Sequence, residues 1–265
     1  MVVTTAEAPD AGLRETAARL ARELGVPYVP RRRYTLRQIE RQHGSDGVLV
    51  AYSDQLKYIS DNSPPLFFHP SMGLIRAKRL LSGGSDAMIA ASGAGPGDVV
   101  LDCTAGLASD AIVFSCAAGE KGRVIAVEAS PLLYVLIREG LTRADTGLPE
   151  ADAACRRIEV RLGDHGEVLR GMPDRSVDIV YFDPMFDRAV ASSSSMRPLR
   201  AHVRHDPLTE EAVRQAVRVA RKSVVLKNNS GSAEFARLGF TPARHSASAV
   251  AYGVIRIDEG DIGRP

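Results

Sequence analysis

The sequence predicts an α/β protein with a doubly wound, mostly parallel sheet, an antiparallel edge and a small α+β N-terminal lobe. From about residue 95 onward, short runs rich in β-branched residues alternate with helical stretches, which is typical of right-handed βαβ units. The runs are nearly continuously apolar, as expected for strands that are buried on both faces of a parallel sheet. We therefore divide the chain into a lobe at residues 1–94 and a sheet domain at residues 95–265.

The sheet domain contains strand and helix candidates in regular alternation. The strand candidates are Val99–Cys103, Arg123–Ala129, Ile158–Gly163, Val177–Phe182 and Ser223–Lys227. The helix candidates are Ser109–Ala118, Pro131–Thr142, Asp164–Gly171 and Thr209–Ala220. Pro131 suits a first helical turn, with Ser130 as its cap. The tail Ala249–Ile257 alternates less cleanly and predicts one or two antiparallel edge strands.

The N-terminal lobe mixes short helices and strands. Helices are predicted at Leu13–Leu24, Leu36–His43 and Ser71–Leu81, the last capped by Ser71. Strands are predicted at Pro27–Arg32, Gly47–Tyr52 and Gln55–Ser60, and Ser53-Asp54 joins the last two as a hairpin. We expect Pro64-Pro65 to break the chain and the segment up to residue 10 to be frayed.

Composition and charge set broad limits on function. The chain has 34 Lys and Arg against 32 Asp and Glu, a net charge of +2 that neither requires nor excludes a nucleic-acid partner. No apolar run approaches the roughly 18 residues that span a bilayer, and the first 25 residues do not resemble a secretory signal. We expect a soluble cytoplasmic protein. The three cysteines form no CxxC pair and no zinc spacing, so we expect free thiols and no metal site.

The basic residues are clustered. One cluster lies within Asp187–His205 and includes Arg188 and Arg197. A second is Arg31–Arg33, and a third lies around Arg76. Clusters of this kind can hold phosphates, although each of them alone is more often a solvated face.

An acid closes each of the first four predicted strands. These acids are Asp102, Glu128, Asp164 and Asp183, and His165 follows the third of them. Because buried carboxylates without partners are costly, the stability of the sheet does not explain them. Open α/β sheets bind ligands at the carboxyl ends of their strands, so we expect a ligand site there.

The first strand end distinguishes between two classes of cofactor. A nicotinamide dinucleotide needs GxGxxG at this place, where the backbone approaches a pyrophosphate. The chain offers Gly106 alone, and Asp102 would repel a pyrophosphate. A cofactor with an ammonium group and no phosphate fits better, and S-adenosylmethionine (SAM) is such a cofactor.

Each polar strand end then has a predicted role. Gly106 lets the backbone approach the methionine part of SAM, and Thr104 lies in the same turn. Asp102, or Asp110 one turn further on, faces the ammonium or sulfonium region, and Glu128 accepts the ribose hydroxyls.

Asp164 would accept from the adenine amino group, with His165 packing beside it. For any one of these acids, a helix cap is an equally good explanation.

The fourth strand runs into Asp183-Pro184-Met185-Phe186. The Asp183 carboxylate and the Pro184 carbonyl can accept the two N–H bonds of a planar amino group and so turn its lone pair toward a sulfonium methyl. Phe186 offers a face on which a base can stack. A plain turn with a core phenylalanine is the alternative interpretation.

These residues resemble a known family. An Asp-Pro-X-aromatic turn after an apolar strand is similar to the (D/N)PP(Y/F) loop of amino-methyltransferases. Over about residues 95–230 the chain resembles the ribosomal small-subunit RNA (guanine-N2) methyltransferase J family, and Met185 is the discriminating detail. The matching segments are Asp102–Asp110, Glu128–Pro131, Tyr181–Phe186 and Val224–Lys227. The N-terminal lobe, with Phe67–Pro70, looks like that of an uncharacterised subgroup.

The resemblance implies a class I, Rossmann-like methyltransferase. It implies SAM contacts at the pairs Ser109-Asp110, Glu128-Ala129 and Asp164-His165, and at Asp183. The ribosomal members carry a basic residue where this chain has Ser109 and where it has Ala129, and small hydroxylic residues at the third pair. These departures leave cofactor binding in place, but they weaken the transfer of the exact RNA substrate.

The leading hypothesis is a SAM-dependent RNA guanine-N2 methyltransferase acting on ribosomal RNA. The candidate substrate-binding residues are Phe186, Arg188, Arg197, Lys227, His69 and Arg76. Lys227 could equally be a snorkelling lysine, and His69 could be a structural histidine. The alternatives are methylation of adenine, cytosine or a small-molecule amine, and a non-catalytic SAM- or RNA-binding module. The intact Asp183 and Phe186 argue against the last of these.

Overall fold

The computed structural model describes residues 1–61, 63–184, 207–243 and 249–257, which form two sheets with helices packed around them. The N-terminal elements are β1 (Val2–Thr5), α1 (Ala11–Leu24), α2 (Leu36–His43), β2 (Val48–Ala51), β3 (Leu56–Ser60), β4 (Ser63–Phe67), α3 (Ser71–Leu81) and α4 (Ala87–Ser92). The following elements are β5 (Val99–Asp102), α5 (Ser109–Ala118), β6 (Arg123–Glu128), α6 (Pro131–Thr142), α7 (Pro149–Arg157), β7 (Ile158–Leu162), α8 (His165–Gly171), β8 (Val177–Phe182), α9 (Glu210–Val219), β9 (Ala220–Asn229), α10 (Glu234–Arg237), β10 (Thr241–Pro242) and β11 (Val250–Arg256).

The larger sheet confirms the predicted fold class. Its seven strands have the order β10-β11-β9-β8-β5-β6-β7. The five strands from β9 to β7 in this order run parallel, and β11 and β10 add the antiparallel edge. After β7 the chain crosses to the other side of β5 to form β8, so the order reverses between β5 and β8. In such sheets the carboxyl ends on either side of that reversal form a crevice for ligands.

The smaller sheet corrects three expectations. Its order is β1-β2-β3-β4, with β2 and β3 forming the predicted hairpin. The frayed start is wrong, because Val2–Thr5 is a buried strand that pairs in parallel with β2. The predicted strand at Pro27–Arg32 is also wrong, since it contributes only an isolated bridge between Tyr28 and Val3. Pro64-Pro65 does not break the chain but lies in the edge strand β4, where a missing N–H is tolerated.

Helix starts agree with the sequence at most positions. Ser130 caps α6 and Pro131 takes its first turn, as predicted. Asp164 and Thr209 cap α8 and α9 with their side chains, instead of being the first helical residues. Ser71 is not a cap: α3 begins at this residue, with φ of 39°, and shows no side-chain cap.

Helix α3 connects the two parts of the molecule. At Gly73 an added Cβ would lie 2.6 Å from the carbonyl oxygen of Ser109, so the backbones of α3 and α5 are in direct contact. Ala77 on α3 and Met88 on α4 belong to the same buried cluster as Tyr181 on β8. A domain boundary between residues 94 and 95 stays a prediction, and side chains on both sides of it share one core. In the part of the chain that the structure describes, no helix combines the length and the apolar character that crossing a bilayer requires.

Candidate active site

The turn after β5 is tied to the ends of both neighbouring strands. Gly106 has φ of 54°, and its N–H donates to Glu128 Oε2 at the end of β6 (3.0 Å). Thr104 Oγ1 accepts the N–H of Asp183 at the end of β8 (2.6 Å). The sequence predicts Thr104 as a cofactor contact, and the structure adds its hydrogen bond with the backbone of Asp183. The crevice is therefore preorganised by its own backbone.

Glu128 is held in one orientation by the backbone around it. Its second oxygen accepts the N–H of Ser130 (2.8 Å), and the residue is only 6% exposed. Burial raises the pKa of the Glu128 carboxyl, and the N–H groups of Ser130 and Gly106 oppose that rise. The predicted role as acceptor for ribose hydroxyls stays a prediction. The backbone of Ala129 follows directly on this carboxylate.

Asp102 is a buried carboxylate with few compensating donors. Within the described part of the chain, its one hydrogen bond comes from the N–H of Thr104 (3.0 Å). Burial raises the pKa of Asp102 to about 8, and the neighbouring carboxylates of Asp110 and Asp183 add to the rise. An acid in this state would be stabilised by a cationic group of a ligand.

Asp110 lies in the first turn of α5, directly after Ser109, and is surrounded by donors. Its carboxylate accepts from Tyr181 Oη (2.7 Å), from Lys227 Nζ (2.9 Å) and from Arg76. Burial acts to raise the pKa of Asp110, but Lys227 and Arg76 hold it below its usual range. Since three side chains already occupy Asp110, the geometry favours Asp102 over Asp110 as the partner of a ligand cation.

Asp183 shares the same lysine. Its Oδ2 lies 2.8 Å from Lys227 Nζ, and 27% of its side chain remains exposed. Burial raises the pKa of Asp183 to about 6, and the charge of Lys227 limits the rise. The next residue, Pro184, is half-buried. Phe186, Arg188 and Arg197, together with Met185, lie outside the described residues.

The remaining predicted residues have well-defined neighbours. Asp164 accepts the N–H groups of Gly166 (2.9 Å) and Glu167 (3.2 Å), so it is a helix cap whatever else it binds. The ring of His165 meets the ring of Phe182 edge-on, with centroids 5.7 Å apart. Their predicted contacts with adenine stay predictions.

The predicted substrate residues fall into two groups. His69 is exposed, and its Nδ1 lies 3.0 Å from both the backbone N and Oγ of Ser71. Arg76 instead points inward, with Nε and Nη2 on the two oxygens of Asp86 (2.8 and 2.9 Å). Lys227 likewise faces carboxylates. Contact of these two cations with substrate phosphates stays a prediction, but both have internal partners that the sequence did not indicate.

Among the residues that the structure describes, carboxylates outnumber cations in the crevice. The acids are Asp86, Asp102, Asp110, Glu128 and Asp183, and the cations facing them are Arg76, Lys227 and, at Asp86, Arg79. A ligand with positive charge would complement this excess, whereas a pyrophosphate would not. The described residues contain no cluster of His, Cys, Asp and Glu that could hold a metal ion.

Comparison with known proteins agrees with this chemistry. A family model described as "Putative SAM-dependent methyltransferase" (SAM_MT) matches residues 33–240. The chain belongs to this family of SAM-dependent methyltransferases. It is 41% identical over 255 residues to the uncharacterized protein YpiP of Bacillus subtilis, covering 96% of this chain and 99% of that protein. It is 31% identical over 227 residues to ribosomal RNA small subunit methyltransferase J of Pseudomonas aeruginosa, covering 83% and 82%. The predicted resemblance is confirmed.

A solved structure supports the fold. A SAM-dependent methyltransferase from Neisseria gonorrhoeae superposes with a TM-score of 0.63 over 98% of each chain, at 19% sequence identity. The similarity supports the predicted Rossmann-like fold.

SAM, the cofactor of this family, fits the charges of the site. When bound, it supplies an electrophilic methyl group on a sulfonium centre. Asp102 would hold the positive methionine end, and the rigid carboxylate of Glu128 would hold hydroxyl donors. Gly106 leaves the turn between them without a side chain. The methyltransferase thus offers acceptors and negative charge where this cofactor has donors and positive charge.

The affinity for SAM is expected to depend on pH through Asp102. With a pKa of about 8, Asp102 is mostly protonated at pH 6 and gains charge as the pH rises. SAM should therefore bind more tightly at higher pH, by about tenfold between pH 6 and pH 7. Titration calorimetry at these two values measures the effect. Asp102→Asn should bind SAM more weakly than the wild type at both pH values and show no gain between them, whereas Asp174→Asn, on the surface, should keep the gain. An equal gain in Asp102→Asn would contradict the assignment.

Proposed function

We propose that this methyltransferase transfers the methyl group of SAM to an exocyclic amino group of an RNA base, with guanine N2 of ribosomal RNA as its target. The observation that carries the proposal is the position of Asp183 and Pro184. They follow β8 at the reversal of strand order, beside the predicted SAM-binding turn. The names of the J relatives support ribosomal RNA as the substrate class.

The chemistry of a base amine explains why a carboxylate is needed here. The lone pair of such an amine is delocalised into the ring, so the nitrogen is a poor nucleophile. A carboxylate and a carbonyl that accept its two N–H bonds can fix the amine in line for displacement, which is catalysis by positioning and electrostatics. The backbone of Asp183 is fixed by Thr104, and Lys227 holds one of its carboxylate oxygens.

Asp183 can also take up the proton that the amine releases. Its pKa of about 6 keeps it mostly ionised at neutral pH, while it remains basic enough to accept a proton from a methylated amine. No covalent intermediate is needed.

The N-terminal lobe provides a surface suited to RNA. Arg32 and Arg33 are exposed, and Lys57 Nζ lies 5.4 Å and 5.5 Å from the ring centroids of Tyr52 and Phe67. The Phe67 ring meets the ring of His69 edge-on at 6.5 Å, and His69 lies just before α3, which packs on Ser109. A lysine beside two aromatic rings is typical of surfaces that bind single-stranded nucleic acids, and a small-molecule amine would not require it.

The proposal is tested by incubating the purified enzyme with methyl-labelled SAM and, separately, with RNA, DNA or protein from a strain that lacks the gene. We expect label in RNA alone, and N2-methylguanosine after digestion to nucleosides. Label in methyladenosine or methylcytidine would overturn the guanine assignment. Label confined to DNA, to protein or to a small amine would overturn RNA as the substrate. SAM binding without transfer to any acceptor would favour a binding module.

A further inference from the structure

We propose that Lys227 is a positioning residue for methyl transfer, whose ammonium group clamps the carboxylates of Asp110 and Asp183 and so fixes the edge that Asp183 presents to the substrate amine. This inference rests on the proposed function of Asp183. It differs from the expectation that Lys227 lines the substrate-binding wall.

The position of Lys227 follows from the strand register. Leu226 on β9 is opposite Phe182 on β8, so Lys227 and Asp183 are each one residue beyond a paired position of adjacent parallel strands. On the other side, Lys227 is opposite Tyr252 of β11. Its ammonium group lies 2.8 Å from Asp183 and 2.9 Å from Asp110, and its side chain is 20% exposed. Both strands hold the lysine at this point of the crevice.

Of the two carboxylates that Lys227 bridges, Asp110 has more hydrogen-bond partners than Asp183 in the ranges that the structure describes. Tyr181 Oη and Arg76 bind Asp110, and Arg76 is itself held by both oxygens of Asp86. Asp110 therefore cannot follow a moving lysine. Asp183, which is more exposed, is the carboxylate whose orientation depends on Lys227.

A contact between Lys227 and a substrate phosphate would disturb this arrangement. If the lysine turned toward solvent, Asp110 and Asp183 would share one site without the cation between them. Two like charges in one site disfavour the ionised forms of both acids. The positioning role keeps both of these carboxylates paired with the ammonium group of Lys227.

Among the described residues, the charged and titratable groups around Asp183 and Lys227 come from five elements. They are Asp102 on β5, Asp110 on α5, Tyr181 on β8, Lys227 on β9 and Tyr252 on β11. Arg76 of α3 acts on them through Asp110. Among the cations that the structure describes, Lys227 is the one in direct contact with Asp183, and its charge lowers the pKa of that carboxyl against the effects of burial and of Asp110. Removal of this charge should therefore shift the pH at which Asp183 becomes active.

The test compares Lys227→Met, Lys227→Gln and Lys227→Arg in single-turnover methylation of RNA between pH 5.5 and 9, at saturating SAM. In Lys227→Met and Lys227→Gln we expect the acidic limb of the rate profile to move up by about 1 to 3 pH units. At pH 7 the rate should fall by about twofold for a shift of one unit, about tenfold for two units and about a hundredfold for three, with recovery toward pH 9. Lys227→Arg should keep the wild-type limb, because it keeps the charge.

Lys222→Met is the matched control. Lys222 lies on the same strand, at its opposite end, and pairs with Asp98 at 2.5 Å. Lys222→Met should leave the acidic limb of the rate profile in place, so it measures separately any general effect of losing a lysine from β9.

Two results would overturn the positioning role. A higher RNA concentration at the half-maximal single-turnover rate, with an unshifted pH profile at saturating RNA, would make Lys227 a phosphate contact. A loss of rate that is equal at every pH would make it a structural residue. If Lys227→Met fails to fold, the comparison of Lys227→Gln with Lys227→Arg decides in the same way. A wild-type enzyme that methylates no base amine would refute the proposed function itself, whereas an active wild type with unshifted variants refutes this inference alone.

Discussion

Replacing Asp183 by alanine is expected to lower the rate of methyl transfer by about 100- to 1000-fold, which is the usual cost of removing one preorganised polar group from a transition state. The variant loses the acceptor that orients the substrate amine and receives its proton. It keeps Asp102, Glu128 and the backbone of the β5 turn, so SAM should still bind. Single-turnover rates with saturating SAM and RNA measure the loss, and titration calorimetry measures the affinity for SAM.

Two further substitutions make this result specific. Asp183→Asn keeps one oxygen that can accept an N–H bond, so its rate should lie between those of the wild type and Asp183→Ala. Asp178→Asn changes the same strand at its other end, where the carboxylate binds Arg221 and the N–H of Val99, and should leave the rate within about twofold of the wild type. Unchanged transfer in Asp183→Ala would exclude Asp183 from the mechanism.

Replacing Asp110 by alanine is expected to destabilise the fold by about 3 kcal/mol. The substitution leaves the buried hydroxyl of Tyr181 without its acceptor and removes one carboxylate each from Lys227 and Arg76. Removal of one member of a buried charge network usually costs about 3 to 5 kcal/mol, and the lower end applies because Lys227 keeps Asp183 and Arg76 keeps Asp86. For a protein of this size the midpoint of thermal unfolding should fall by about 6 to 12 °C.

The sign of the pH dependence follows from the lowered pKa of Asp110. Because its folded-state pKa lies below the ordinary value of 3.8, the stabilisation is present above pH 4 and is lost only as the pH falls through the folded-state pKa. Thermal unfolding at pH 7 should therefore show the full difference. Asp174→Ala removes a carboxylate that is paired with Arg218 at the surface and should change the free energy of unfolding by about 0.5 kcal/mol or less. Equal midpoints for Asp110→Ala and the wild type would show that the network does not stabilise the fold.

Local signals account for what the sequence predicted well. The βαβ strands are short apolar runs, and the helix starts after Ser130 and Thr209 carry a capping residue. Such signals need only a few adjacent residues. Strand β1 was missed because its partner β2 lies more than forty residues further along the chain. Helix α7 was missed because its apolar residues are small, three alanines and a cysteine, and no large apolar side chain marks a helical period.

In the candidate site, too, local position predicted some features and long-range contacts determined the others. Four acids at four strand ends could be recognised from position alone, since parallel strands bring their carboxyl ends to one edge of the sheet. The side chains that pair with those acids could not be predicted in this way. Arg76 is 34 residues from Asp110, and Lys227 is 117 residues from it, so both read as free cations that could meet phosphates. Only the folded chain shows that they face carboxylates inside the crevice.

The contact of α3 with α5 restricts how this enzyme could exchange parts with its relatives. Gly73 gives the two helices their close approach, and Arg76 carries a charge from the N-terminal side of the chain into the methyl-donor crevice. A chimera that took its first 94 residues from another protein would have to bring a glycine, an arginine and the equivalent of Asp86 in the same places. Divergence of the N-terminal lobe is therefore tied, through one helix, to the residues of the candidate site.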